Sequence, residues 1–179
     1  VGYGVAENGS VSTTTGDDEH STIFANYAMG PATVGYQISQ LDLKAGSDEN
    51  ADAWGIAFNI NDNLSVSYGE RDVEYGNAGA AHTTESGEGI AIAYTMGSIT
   101  VGAQRSETDV TAANSDITKT AYGIAFAVND NLSVSYGASE SEKDGSTTDQ
   151  ELSGISVGYS MGGISIKAHA NEGENVANT

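Results

Sequence analysis

Large apolar side chains recur at every second position over long stretches of this chain. Residues 54–60 place Trp54, Ile56, Phe58 and Ile60 over Gly55, Ala57 and Asn59. The alternation stops at Asn61-Asp62-Asn63 and resumes at Leu64, Val66 and Tyr68, with Ser65, Ser67 and Gly69 between them. Tyr122, Ile124, Phe126 and Val128 repeat the first run, and Leu132, Val134 and Tyr136 follow after Asn129-Asp130-Asn131. A period of two with one apolar face marks a strand. On a helix the same positions would spread apolar groups all round, and 23 Gly weigh further against one. Asn- and Asp-rich tripeptides between such runs predict hairpin turns, on the expectation that these residues take up positive φ.

The pattern predicts eleven strands, at about 1–6, 21–29, 32–44, 52–60, 64–75, 88–96, 99–108, 117–128, 132–142, 151–161 and 164–171. Residues 123–137 (GIAFAVNDNLSVSYG) nearly repeat 55–69 (GIAFNINDNLSVSYG). A second turn phrase occurs at Tyr27-Ala28-Met29-Gly30, Tyr94-Thr95-Met96-Gly97 and Tyr159-Ser160-Met161-Gly162. The two phrases alternate along the chain, so one hairpin unit is about 33 residues. Connections at one end are two or three residues. Those at the other end are longer and hydrophilic, from Glu7 to His20, Ala45 to Asp52, Gly76 to Glu88, Thr111 to Asp116 and Glu142 to Gln150, and most carboxylates are assigned to these links.

Composition narrows the classes. The 179 residues suit one domain, spanning 1–179; 25 Asp+Glu against 6 Lys+Arg give a formal net charge of −19. That charge repels nucleic acid and anionic surfaces. With no Cys there is no disulfide framework or thiolate metal site. No apolar run approaches the roughly 20 residues of a membrane helix. Strands of about ten residues, tilted by about 45°, do cross an apolar band of about 25 Å, and short turns on one side with long loops on the other are the layout of outer-membrane barrels. The fold class expected is therefore all-β, an antiparallel transmembrane β-barrel.

Side-chain direction supports a wet interior. The face opposite the apolar one is mostly Ser, Gly, Ala, Thr and Asn. Tyr27, Tyr36, Tyr68, Tyr94, Tyr136 and Tyr159 cluster beside the short turns, as an interfacial aromatic girdle would. Register places Lys119, Lys167 and His169 on the inner face. After Ile38 the apolar parity moves to Leu41 and Leu43, which predicts a bulge near Ser39-Gln40 and puts Asp42 and Lys44 on the inner wall. Arg105 reads as outward near the rim, Lys143 as a loop residue, and the same parity slippage gives Arg71 no assigned face. Charges inside a barrel need water, so Lys44, Lys119 and Lys167 predict a filled channel.

The phrases GIAFxxNDNLSVSYG and GISVGYSMGGISIKAHANEGENV resemble general bacterial porins of the alphaproteobacterial, Rhodobacter-like type, over essentially the whole chain. The resemblance implies a 16-stranded, usually trimeric barrel in the outer membrane of a Gram-negative bacterium, passing ions and small hydrophilic solutes by passive diffusion. It also implies a row of basic wall residues, to which Lys44, Lys119 and Lys167 correspond. Eleven strands is an odd number, and sixteen need about 270 residues, so the sequence is expected to be an internal fragment of the barrel, incomplete at both ends.

No enzyme is expected. His20, His82 and His169 lie in separate segments, and no nucleophile elbow or phosphate loop is present. No cofactor is predicted beyond Ca2+ or Mg2+ at the acidic loops, bridging them to lipopolysaccharide and outer-membrane lipid. Net acidity predicts a cation-favouring pore, weaker as salt screens it. The competing class is a secreted acidic β-repeat adhesin used for surface attachment, which would show a shorter repeat with turns alike on both sides.

Overall fold

The computed structural model describes residues 2–8, 18–43, 48–76, 83–111 and 115–176. They form eleven strands: β1 (Gly2–Asn8), β2 (Asp18–Met29), β3 (Ala32–Asp42), β4 (Glu49–Asn61), β5 (Leu64–Tyr75), β6 (Thr83–Met96), β7 (Ile99–Val110), β8 (Ile117–Asn129), β9 (Leu132–Lys143), β10 (Gln150–Met161) and β11 (Ile164–Glu174). All belong to one antiparallel sheet in chain order, each paired only with its sequence neighbours. The sheet is a meander whose first and last strands do not pair with each other.

All eleven expected strands are present, and the differences lie at the long-link end. Strand β6 begins at Thr83 rather than about 88, because Tyr75 pairs with Thr83 and the ladder continues from there. Those first residues are small or polar, so backbone pairing alone extends the strand. In the same way Lys143 is the last residue of β9, opposite Ile117, and not a loop residue.

The five short connections are two-residue turns of two kinds. Gly30, Gly97 and Gly162 have φ of 57°, 60° and 61°, while the residues after them do not share the positive sign. Positive φ at the first central position alone is the II′ pattern that matches strand twist. The Asn-Asp-Asn turns work differently from expectation. Among the described residues, Asn175 is the one non-glycine with positive φ. Asn61 Oδ1 instead accepts from the N–H groups of Asn63 and Leu64, at 2.9 and 3.0 Å, and Asn129 Oδ1 does the same for Asn131 and Leu132. A register shift accompanies each, between Asn59 and Asn61 and between Ala127 and Asn129. The side-chain amide closes the turn, so no left-handed backbone is required.

No bulge interrupts β3. Gln40 pairs with Ser21 and Asn50, and Leu41 with His20 and Glu49, in unbroken register with Ile38 opposite Ile23 and Asp52. The switch in apolar parity is a change of polarity on a regular strand. Toward the short turns Val34, Tyr36 and Ile38 lie on one face; toward the long links Leu41 lies on the other. Strand β5 shows the same reversal from Val66 and Tyr68 to Val73 and Tyr75, and β7, β8 and β10 repeat it with Val110, Ile117 and Leu152.

Nothing resembling a globular core exists among the described residues. Val73, 1% exposed, is the single buried hydrophobic side chain, whereas Tyr27, Met29, Ile92, Ile124, Tyr159 and Ile166 are all exposed. One sheet has no second layer to bury its apolar face.

Candidate functional site

The functional unit is the pair of faces that the ladder creates. Cross-strand partners share a face, so one face can be followed from strand to strand. On the apolar face, Val34 lies opposite Tyr27 and Ile56, Phe58 opposite Val66, and Leu64 opposite Tyr94. Val101 lies opposite Ile124, Phe126 opposite Val134, and Tyr159 opposite Ile166. The band is continuous from β2 to β11. Monomeric soluble proteins rarely expose apolar patches beyond a few hundred Å². A band this wide calls for an apolar covering.

All six tyrosines expected in the girdle lie on this face, three residues before or five after a short turn. Above the band the same face turns acidic. Glu70, Glu88 and Glu107 form one cross-strand row, Asp72 and Asp109 flank Ser86, and Glu140, Glu151 and Glu174 form another row. Directly opposed like charges are unfavourable, and local donors offset part of the repulsion. The Tyr68 hydroxyl lies 2.6 Å from Glu70 Oε1 and 2.7 Å from Glu88 Oε2. Trp54 donates its indole N–H to Glu70 Oε2 at 3.0 Å and meets the Tyr68 ring edge-on at 5.7 Å. Arg105, on this outward face, pairs with Glu107 Oε1 at 2.5 Å. Most carboxylates therefore sit on strand ends above the apolar band rather than in the links, because the strands run further than the hydrophobic pattern does.

The opposite face is built from small residues. Two glycine rows cross it: Gly35, Gly55, Gly69 and Gly89 are successive partners, and so are Gly102, Gly123, Gly137 and Gly154. The backbones approach closely there; a Cβ at Gly55 would sit 3.3 Å from the Tyr68 carbonyl oxygen, and one at Gly123 3.2 Å from that of Tyr136. Lys119 stands on this face between Ser106 and Ser141, Lys167 opposite Gly158, and His169 opposite Ser156, all three exposed. Arg71 is here too, paired with Glu85 across β5 and β6.

Asp42 is corrected by the ladder. It pairs with Glu19 on the side of Gln40 and Ile38, so it belongs to the outward acidic zone and not to the inner wall. The inward placement depended on the bulge that the continuous pairing excludes. Lys44 and His82 lie outside the described residues. The structure thus brings Lys119, Lys167 and His169 onto one face without joining them in a single cluster. Sequence reading missed both glycine rows and the Trp54–Tyr68–Glu70–Glu88 group. Counting outward from each two-residue turn would have aligned them.

Similar solved structures share this architecture. A porin refined at 1.8 Å resolution superposes with a TM-score of 0.68 and 19% identity, over 93% of this chain and 58% of its own. An anion-selective porin from Comamonas acidovorans gives 0.64 and 12%, over 77% and 42%. A loop-deletion mutant of OmpT, an outer membrane protein of Vibrio cholerae, gives 0.58 and 16%, over 89% and 58%. No protein-family model and no curated protein matches the sequence. The fold is that of a transmembrane porin-type β-barrel wall. The chain spans less than two thirds of the length of the porins it resembles.

Proposed function

We propose that this sheet is part of the wall of an outer-membrane porin, a water-filled channel for passive diffusion of ions and small hydrophilic solutes across the outer membrane of a Gram-negative bacterium. The continuous apolar band, backed by glycine, serine and alanine with exposed lysines, carries the reading. Lipid acyl chains satisfy the first face, and water satisfies the second. In this reading Tyr27, Tyr94 and Tyr159 sit at the headgroup level beside the short turns, Tyr36, Tyr68 and Tyr136 stand further up the band, opposite Trp54, Ile56 and Ile124, and a homotrimer of the alphaproteobacterial type is the assembly. The fold likeness to two porins and an outer membrane protein adds support, and the two-sided hairpin unit with unlike ends speaks against the adhesin alternative.

The acidic zone above the band is the natural contact for lipopolysaccharide, with Ca2+ or Mg2+ between carboxylates and anionic headgroups. Glu140, Glu142 and Asp149 bring one carboxylate oxygen each within 4.8 Å of one another, hard donors of the kind these ions take. The same zone draws cations toward the mouth at low salt, as the net charge of −19 suggests. Stepwise conductance after adding the protein to planar bilayers tests the channel. A protein that folds in lipid but conducts nothing would refute it.

A further inference from the structure

We infer that the inner face of β2 and β3 carries a subsite for a neutral sugar ring, with Phe24 as the stacking platform and the Asn26 and Gln37 amides as hydrogen-bonding partners. The inference rests on the pore reading and names a solute class for it. Phe24 faces away from the apolar band: it lies opposite Gly2 and Gln37, whereas Ile23 beside it lies opposite Ile38. Yet it is 41% exposed, and among the described residues it is the one exposed aromatic side chain on the inner face. A wall that meets water has no use for a bare phenyl ring, because leaving it in water is unfavourable. The ring is also seated. It reaches across to Gly2, where any side chain would collide with it.

The groups around it are amides and hydroxyls. Asn26, two residues along β2, lays its Oδ1 across Gly35, 2.6 Å from where a Cβ would stand. Its amide is exposed and has no hydrogen-bond partner among the described residues. Gln37 Nε2 donates to Ser39 Oγ at 3.0 Å, and Thr22 Oγ1 lies 3.1 Å from the same oxygen. Opposed positions are about 5 Å apart and successive inner positions on a strand about 7 Å, an arrangement that one pyranose ring spans. Such a ring has a face of C–H bonds and a rim of hydroxyls. The C–H bonds meet the negative face of the aromatic ring, and amides, each donor and acceptor, match the hydroxyls. Carboxylates or ammonium groups would select charged solutes, and the described patch holds neither. Toward the long links His20 and Glu49 lie either side of Leu41, beyond the level of Ser39. Arg71, reached from Gln37 through Ala53, is paired with Glu85.

The test is methyl β-glucopyranoside added to the protein conducting in planar bilayers. The expected result is a current reduction that saturates with sugar concentration. The half-saturating concentration should be the same at about 0.1 M and about 1 M KCl, because no charge takes part. Mannitol, with hydroxyls but no rigid C–H face, should lower the current only in step with bulk conductivity. Phe24→Ala and Phe24→Leu should each raise the half-saturating concentration by about fivefold, and Asn26→Ala and Gln37→Ala by about threefold, while Phe24→Tyr keeps it nearly unchanged. Ser135→Ala, on the inner face of β9, should not move it. A response that does not saturate, equal block by mannitol, or indifference to both Phe24→Ala and Phe24→Leu overturns the subsite. Phe24→Leu keeps an apolar side chain over Gly2 and carries the test should Phe24→Ala fail to fold. Absence of any conductance overturns the pore reading instead. Saturation-transfer NMR of the same sugar with the protein in detergent micelles then decides the subsite, by whether transfer to the sugar's C–H protons is lost in Phe24→Leu.

Discussion

Ile124 and Ala125 are adjacent in β8 but face opposite media, so one lysine placed at each position measures what the two faces meet. Ile124 lies between Val101 and Tyr136 on the apolar face; Ala125 lies between Thr100 and Ser135 on the other. Ile124 precedes the Asp130–Asn131 turn by six residues. At a rise of about 3.3 Å per residue and a tilt of about 45°, it stands about 14 Å from that turn, near the middle of a band about 25 Å tall. A lysine at the midplane costs about 2–4 kcal/mol. Losing the isoleucine side chain from the band adds about 1–2 kcal/mol. Ile124→Lys should therefore destabilise by about 3–6 kcal/mol, whereas Ala125→Lys, facing water among small residues, should stay within about 1 kcal/mol. Urea titration of the protein in lipid vesicles, read by the mobility difference between folded and heat-denatured forms, gives both values. Equal losses, or a larger loss for Ala125→Lys, would refute the assignment of the faces.

Trp54, the one tryptophan, stands where the apolar band meets the acidic zone. Its fluorescence should be quenched more strongly by bromine near the headgroup end of the acyl chain than by bromine near the bilayer centre; the opposite order would place it wrongly. Asn61→Ala and Asn129→Ala each remove an acceptor for two backbone N–H groups and should cost about 1 kcal/mol in the same titration. Losses near zero at both sites would show that the turns close without the amide. Gly123→Val should cost about 1–3 kcal/mol, because its Cβ would meet the Tyr136 carbonyl oxygen at 3.2 Å, while Gly163→Ala, with nothing within 4 Å, should be nearly neutral. Comparable effects at the two glycines would remove the packing argument.

Much of the fold was legible because each strand announces itself twice, by alternation and by a turn phrase at its lower end. The upper ends were harder. At Thr83–Gly87 no large apolar residue marks the strand, yet the backbone pairs, so hydrophobicity underestimates its length. The step from Ile38 to Leu41 was a trap of another kind. Apolar parity there implies a bulge, but on β3 the environment changes while the geometry stays regular. That error carried Asp42 to the wrong face. Lys119, Lys167 and His169 were placed from runs of unbroken alternation, where parity and geometry coincide. Net charge, finally, has no direction. Only pairing across strands shows that most of the described glutamates lie on the side of the sheet opposite Lys119, Lys143 and Lys167, with Glu49 and Glu85 as exceptions on the lysine side.

The strictly sequential pairing has a consequence for how the wall is assembled. Every ladder joins neighbours in the chain, and even a wide one, from Leu64 to Tyr94, closes over a single hairpin unit. Loop-closure entropy grows only slowly with length, but it must be met before distant contacts form. Here each new strand zips onto an edge already in place, with its two-residue turn as the pivot. Growth can begin at any hairpin and spread in both directions, so damage to one turn should delay a local step and leave the others free to form.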